Sequence, residues 1–426
     1  MRMHRSVAYA FATLVLALAA TSSCASETQP LGDYSWVSRS TSSPQNDQEM
    51  GSPGEVRKPA EDDQPERPAV FTILGGGDLL LHRSVNNAAA TADGYNYSPL
   101  LTGLDAWVQG ADLALCHLEV PLAPEGVAPS GYPLFGAPAQ IIPALAEQGW
   151  NGCSTASNHS IDRGLSGLTA TLDALDAAGL GHVGTARTQV EAEAPQLYEL
   201  EREGRTITVA HLSITYGLNG LVLPADTQWA VNLIDVTATI ARATAAREAG
   251  ADLVVVSLHD GIEYRAEPSS PQIATAQALA DAGVVDLIFG HHAHVPQRIE
   301  LLPGGPGDKG MWVAYGMGNL ISSQGAHCCA PETSNGLLIT ATVVAEPGGP
   351  ARVTGLEWTG ITVDRTAGYL VRVIGEAIAN PAGGTLSPAE LANRDARVRA
   401  VLGEAKERTT PPTPTGPTPK SLTRLQ

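Results

Sequence analysis

An α/β domain organised on a largely parallel sheet, or on a pair of sheets, is what this sequence predicts, and three observations predict it. Between about residues 70 and 320, short apolar or β-branched runs alternate with segments of helical periodicity, the rhythm of strands joined by crossover helices. Several runs, such as Leu287-Ile288-Phe289, are continuously apolar, as buried strands are. Residues able to bind metal stand directly after the runs, where ligands gather in α/β folds.

The chain begins with an address. Arg2, His4 and Arg5 precede an apolar stretch at 7–20 that is too short to span a bilayer comfortably, so residues 1–23 are expected to be a secretory signal peptide. Thr21-Ser22-Ser23-Cys24 resembles a bacterial lipobox, although Thr21 stands where Leu or Val is usual. Lipidation at Cys24 would anchor an exported chain to the membrane, with plain secretion as the alternative. Residues 24–68, rich in Ser, Thr, Pro, Gln and acids, are expected to be a disordered tether.

The folded domain is expected over 69–365. A strand at 71–74 ends in Gly75-Gly76-Gly77-Asp78, a helix follows at 100–109, and a strand at 112–118 ends at Glu119. The next helix, 141–148, leads to a strand at 152–157 that runs into Asn158-His159, and an alanine-rich helix at 164–178 is closed by Gly179. A strand at 206–213, a helix at 236–249 ended by Gly250, and a strand at 252–258 reaching His259 come next. After a helix at 272–282, the strand at 287–289 stops at Gly290 and delivers His291, His292 and His294; a strand at 312–315 precedes Gly318-Asn319. Residues 366–408 are expected to form a helical extension, and 409–426, T-T-P-P-T-P-T-G-P-T-P-K onward, a disordered, extended tail.

Composition excludes some partners. A net charge of -18 and only four lysines, Lys58, Lys309, Lys406 and Lys420, leave no basic stripe for nucleic acid. Apart from Cys24 there are Cys116, Cys153, Cys328 and Cys329, which allow three disulfide pairings in an oxidising compartment. A bond between adjacent Cys328 and Cys329 would be strained, so each is expected to pair elsewhere. Without a CxxC pair, a thiolate zinc site is not expected.

Asp78, Glu119, Asn158, His159, His259, His291, His292 and His294 stand after five separate strands. Mixed oxygen and nitrogen ligands suit Mn, Fe or Zn, and their number suggests a two-metal hydrolase centre. His292 and His294, two apart on extended backbone, would share a face as a ligand pair, with His291 turned away. Asn158 could instead cap the following helix, and Gly318-Asn319 could serve as a tight turn. His182 and His211 follow no strand end and read as ordinary core or surface histidines.

Six ordered motifs carry a family resemblance: G-G-D-L-L-L-H-R (76–83), H-L-E-V-P-L (117–122), S-N-H-S-I-D-R-G (157–164), H-D-G-I-E-Y (259–264), G-H-H-A-H-V-P-Q (290–297) and Y-G-M-G-N-L (315–320). Together they resemble the capsule-synthesis protein CapA family, implicated in bacterial poly-gamma-glutamate capsule assembly and similar to the calcineurin-like metallophosphoesterases. The resemblance implies a four-layer α/β/β/α metallophosphatase-type sandwich, two divalent ions and attachment to the cell envelope. Departures include His117 and Asp260, where Asn and Trp are usual, and His82 and Ala293, where Gly and Pro are common.

The expected site follows. Glu119 bridges two ions, Asp78 with His292 or His294 holds one, and Asn158 with His259 the other. His159, His259 and Glu263 are the candidate catalytic groups. His82, His117, Asp162, Tyr264, His291 and Asn319 are expected to support ligands or touch substrate. The expected chemistry is hydrolysis of a phosphoester or gamma-glutamyl amide in an anionic envelope polymer; the alternative is a non-catalytic polymer-binding or assembly factor of a capsule synthase.

Overall fold

Along each parallel strand, alternate side chains enter different cores. In a computed structural model describing residues 67–424, Leu253 and Val255 of one strand join one apolar cluster, while Val254, Val256 and Leu258 join another. Phe71 and Ile73 likewise separate from Leu74 and Leu79, and Leu287 and Phe289 from Ile288. A strand that buries both faces lies inside a layered structure. The expected signal peptide, Cys24 and all but the end of the tether lie outside the described residues.

The principal strands are β1 (Ala69–Leu79), β2 (Leu113–Leu118), β3 (Gly152–Ser154), β4 (Gly181–Val183), β5 (Gln196–Arg202), β6 (Arg205–Thr215), β7 (Leu253–His259) and β8 (Leu287–His291). They continue with β9 (Ile299–Leu302), β10 (Met311–Ala314), β11 (Asn319–Ile321), β12 (Asn335–Ala345), β13 (Ala351–Asp364), β14 (Leu370–Val373) and β15 (Lys420–Ser421). One sheet has the order β14-β13-β12-β1-β2-β3-β4, with β11 beside β1. The other has the order β9-β10-β8-β7-β6-β5-β15. Strands β1 to β4 are mutually parallel, as are β6, β7, β8 and β10.

Helices α1 (Ile141–Gln148) and α2 (Gly164–Ala177) cover the first sheet through residues such as Leu145, Leu168 and Leu172. Helices α3 (Val236–Glu248) and α4 (Ser270–Asp281) cover the second through Ala243, Ala246 and Leu279. Between the sheets lie Phe71, Ile73, Val209, Val255 and Phe289. The result is the four-layer α/β/β/α sandwich. Helix α4 starts at a full capping box, Ser269 with Gln272, which satisfies two otherwise unpaired helix-end donors.

Three expectations change. Residues 366–408 are not a purely helical extension, because β14 continues the first sheet before α5 (Pro388–Leu402) begins. The tail is not disordered: β15 pairs with β5, and Arg424 is buried, donating to the carbonyls of His182 and Thr185. Its proline and threonine composition indicates an extended chain but carries no information about the docking side chains. Cys116 and Cys153, on adjacent strands, form the disulfide, and Cys328 and Cys329 are free thiols. Parallel pairing of β2 with β3 places those two residues opposite each other.

Two close approaches put the strand ends where the site needs them. A side-chain carbon at Gly290 would lie 1.9 Å from the carbonyl oxygen of Tyr315, so only glycine allows β8 and its neighbour to close up just before the histidines. At Gly77 the obstacle would be the carbonyl oxygen of Gly318 at 2.3 Å.

Candidate metal centre

All the parallel strands deliver their carboxyl ends to the same rim, and buried polar side chains meet there. Asp78, near the end of β1, accepts from His291 Nδ1 at 2.9 Å and from the His292 backbone N–H at 3.2 Å. His294 Nδ1 lies 3.2 Å from Asp78 Oδ2 and 3.1 Å from Asn319 Oδ1. These contacts join the two sheets, since Asp78 belongs to one and the histidine segment follows a strand of the other.

The backbone of that segment is not extended. His292 and His294 have φ values of 84° and 58°, in the left-handed region, so the alternation expected from strand geometry stops at His291. His291 therefore does not turn away: it bonds Asp78, and its ring stacks on that of His117 with centroids 3.9 Å apart. His292 and His294 still come together, with Glu263 as a third partner. The backbone N–H of Tyr264 donates to the carbonyl of Ala293 at 2.8 Å, which brings the loop of Glu263 to the histidine turn.

Three groups of potential ligand atoms, each group within 4.8 Å, occur among the described residues. They are Asp78, His117 and His291; Glu263, His292 and His294; and Asp78, Glu119 and His294. The imidazoles of His117 and His259 meet at 2.9 Å, and His259 Nε2 is 2.9 Å from Asn158 Oδ1. His117 thus stands among the candidate ligands rather than behind them.

Several polar atoms inside this cluster have no partner. Both carboxylate oxygens of Glu119 are buried with no hydrogen-bond partner, and so is Nδ1 of His292. Burial pushes Glu119 well above the carboxylate range, with His294 opposing the shift. Burial likewise holds His117 and His259 well below the imidazole range and takes His292 down to about 3. For Asp78 burial acts upward, but hydrogen bonds from His291 and His294 outweigh it and the carboxyl is lowered. His294 is raised to about 9 because Glu119 and Asp78 overcome its burial. Two unpartnered carboxyl oxygens of Glu119 and an unpartnered ring nitrogen of His292, grouped with Asp78 and His294, make an oxygen and nitrogen donor set that would suit a divalent cation, so the residues fit the ion that their types suggest.

Beside this cluster a cleft of about 700 Å³ opens to solvent. His159 lines it, with Nδ1 on Asp162 Oδ2 at 2.7 Å and its ring edge-on to Phe135. Asp162 also accepts the Phe135 backbone N–H at 2.7 Å, so one carboxylate fixes both ring and loop. His82 packs edge-on against Phe135 and is pushed down to about 4 by burial. The Tyr264 hydroxyl accepts from Gln324 at 3.3 Å, and Gln324 in turn accepts from Asn319. His211, bonded to Ser257, and His182, bonded to Asp176, stand apart, as expected.

Tyr216 and Asn219 are site residues that the sequence reading missed. The Tyr216 ring lies 4.5 Å from that of His292, and Asn219 accepts from Asn158 at 3.2 Å. Y-G-L-N-G (216–220) follows β6 directly, so the strand-end rule that found the others applies to it too.

The family model described as "Bacterial capsule synthesis protein PGA_cap" matches residues 72–324, more than half of the 426-residue chain. The chain belongs to this bacterial capsule synthesis protein family. The capsule synthesis match spans every candidate ligand named above. Among curated relatives, the "Probable polyglutamine synthesis accessory protein" of Mycobacterium tuberculosis is 26% identical over 60% of this chain and 75% of its own length. The "Capsule biosynthesis protein CapA" of Bacillus anthracis is 30% identical over 45% of this chain and 44% of its own. The chain thus spans less than half of that relative. Among solved structures, the NAD nucleotidase of Haemophilus influenzae matches at a TM-score of 0.44 and 14% identity, over 81% of this chain and 65% of that one.

Proposed function

We propose that this chain is an exported, lipid-anchored, metal-dependent hydrolase acting in the synthesis or processing of an anionic capsule polymer such as poly-gamma-glutamate. Its bond would be a phosphoester or a gamma-glutamyl amide. The observation that carries the reading is Glu119: a fully buried carboxylate with neither oxygen bonded, with ligand atoms of Asp78 and His294 within 4.8 Å. Residues available to hold two ions of Mn, Fe or Zn are Asp78, His117, Glu119, Asn158, His259, Glu263, His291, His292 and His294. Such ions would supply Lewis-acid charge neutralisation.

The remaining chemistry belongs to the chain. Asp162 orients His159 through Nδ1, leaving Nε2 to exchange a proton with a leaving group in the cleft. Asn219 and Tyr216 brace Asn158 and His292 at the mouth, and Phe135 shields His159. Among the described residues no helix is long and apolar enough to cross a membrane. The proposed attachment draws its support from the lipobox-like run that ends at Cys24.

Metal analysis of the purified chain, with turnover of phosphodiesters and of oligo-gamma-glutamate, tests the reading. Stoichiometric metal and activity that both fall in Glu119→Ala support it; absence of metal from the native protein refutes it. Cys24→Ala should release the protein from membranes. A second reading, a non-catalytic assembly factor that contacts synthase subunits, draws support from the word "accessory" in the mycobacterial relative's name. Bound metal and polymer without turnover would favour it.

A further inference from the structure

One wall of the cleft, packed through Phe135 against His82 and His159, is apolar and belongs to two loops. From the loop after β2 come Tyr132, Leu134 and Phe135; from the loop after β6 comes Leu221. Tyr132 is 79% exposed, and Leu134, Leu221 and the neighbouring Val222 are 46%, 37% and 84% exposed. Large apolar side chains held in water at the mouth of one cavity mark a contact surface.

Charge sharpens the point. Among the described residues lining this cleft there is no lysine or arginine, whereas Asp162 and Glu263 are both present. A run of carboxylates lying along the wall would meet no lysine or arginine there and would lose its hydration against apolar carbon. One anionic group at the metal-capable cluster, carrying an uncharged apolar substituent, matches both halves.

We infer that the cleft selects an anionic linkage with an uncharged apolar group on one side, seated between Tyr132 and Leu221. The inference rests on the phosphoester form of the hydrolase reading, because a gamma-glutamyl amide is neutral and flanked by carboxylates, and it adds the class of the neighbouring group. A polyanionic chain attached to the linkage has to leave by another route than this wall. Tyr132 and Leu221 are then specificity residues that never touch the reacting atoms.

Calorimetric titration of the full chain with Mn²⁺ present, using phosphate, phenyl phosphate and tri-gamma-glutamate, tests it. Covering a phenyl ring should make phenyl phosphate bind about tenfold more tightly than phosphate. The Tyr132→Ala/Leu221→Ala variant, with its melting temperature confirmed, should bring the two within about twofold while leaving phosphate binding unchanged. Equal binding of phosphate and phenyl phosphate, no binding of either, or tighter binding of the glutamate oligomer unaffected by the variant would overturn the inference. Retained selectivity in a protein that hydrolyses neither phosphoesters nor gamma-glutamyl amides would remove the hydrolase reading and leave this one standing.

Discussion

His117 Nε2 lies 2.9 Å from His259 Nδ1, and the two residues come from strands of different sheets. His117 is itself held by Ser154 at 2.8 Å. Removing its ring in His117→Ala frees His259 to turn away from Asn158. Metal content should drop and any hydrolytic rate fall by about 10–100-fold, while circular dichroism stays unchanged. Elemental analysis of the variant checks this.

Asn319 supports the same centre from the opposite side. Its carbonyl meets His294, and its amide donates to Gln324 and to the Thr333 carbonyl at 3.0 and 2.9 Å. Asn319→Leu leaves those acceptors buried and unpaired, at a cost of about 1–3 kcal/mol in the metal-free protein. Metal affinity should weaken by about tenfold or more, read by competition with a chelating dye.

The cysteines separate by reactivity. Cys328, which is exposed, should alkylate in the native protein and Cys329 more slowly, since burial raises its thiol to about 11, whereas Cys116 and Cys153 should react only after reduction and unfolding. Peptide mapping by mass spectrometry decides this. The double variant Cys116→Ala/Cys153→Ala should lose about 2–4 kcal/mol in denaturant titration.

Asp364 provides a pH dependence away from the metal centre. Burial raises its carboxyl, but the Thr385 hydroxyl and the backbone N–H groups of Thr385, Ala367 and Leu386 outweigh that and leave it lowered. A folded-state value below the unfolded value of about 3.9 means the contribution is complete above that pH and disappears as pH falls through the folded value. Asp364→Ala should cost about 1–3 kcal/mol at neutral pH and progressively less below about pH 4. Urea titrations across that range test it.

Much of this architecture is legible in the sequence because local pattern and global fold agree. Helix α1 and helix α2 occupy the expected stretches to within a residue, and Asp78, Glu119, His259 and His291 stand at strand ends as the apolar runs imply. Less legible is anything decided by two distant segments. The Asp78–His291 contact spans 213 residues and depends on how one sheet packs on the other. The left-handed backbone at His292 and His294 leaves no composition cue, since neither is glycine. Tyr216 and Asn219 follow β6 as the others follow their strands, but no histidine or carboxylate stands beside them there, as His159 stands beside Asn158 and Glu263 beside Tyr264.

The docked tail bears on the order of events in folding. Asp112, just before β2, and Arg202, closing β5, form a buried pair between the sheets at 2.8 Å, and Thr415 donates to the same carboxylate from 303 residues away. Ser421 then reaches the carbonyl of Asn151, while the carbonyl of Leu422 accepts from Gln196 of the other sheet. In synthesis the strands that carry Asp78, Glu119 and His259 are made before residues 412–424, so this clasp across the two sheets closes after them, at the strand ends away from the rim.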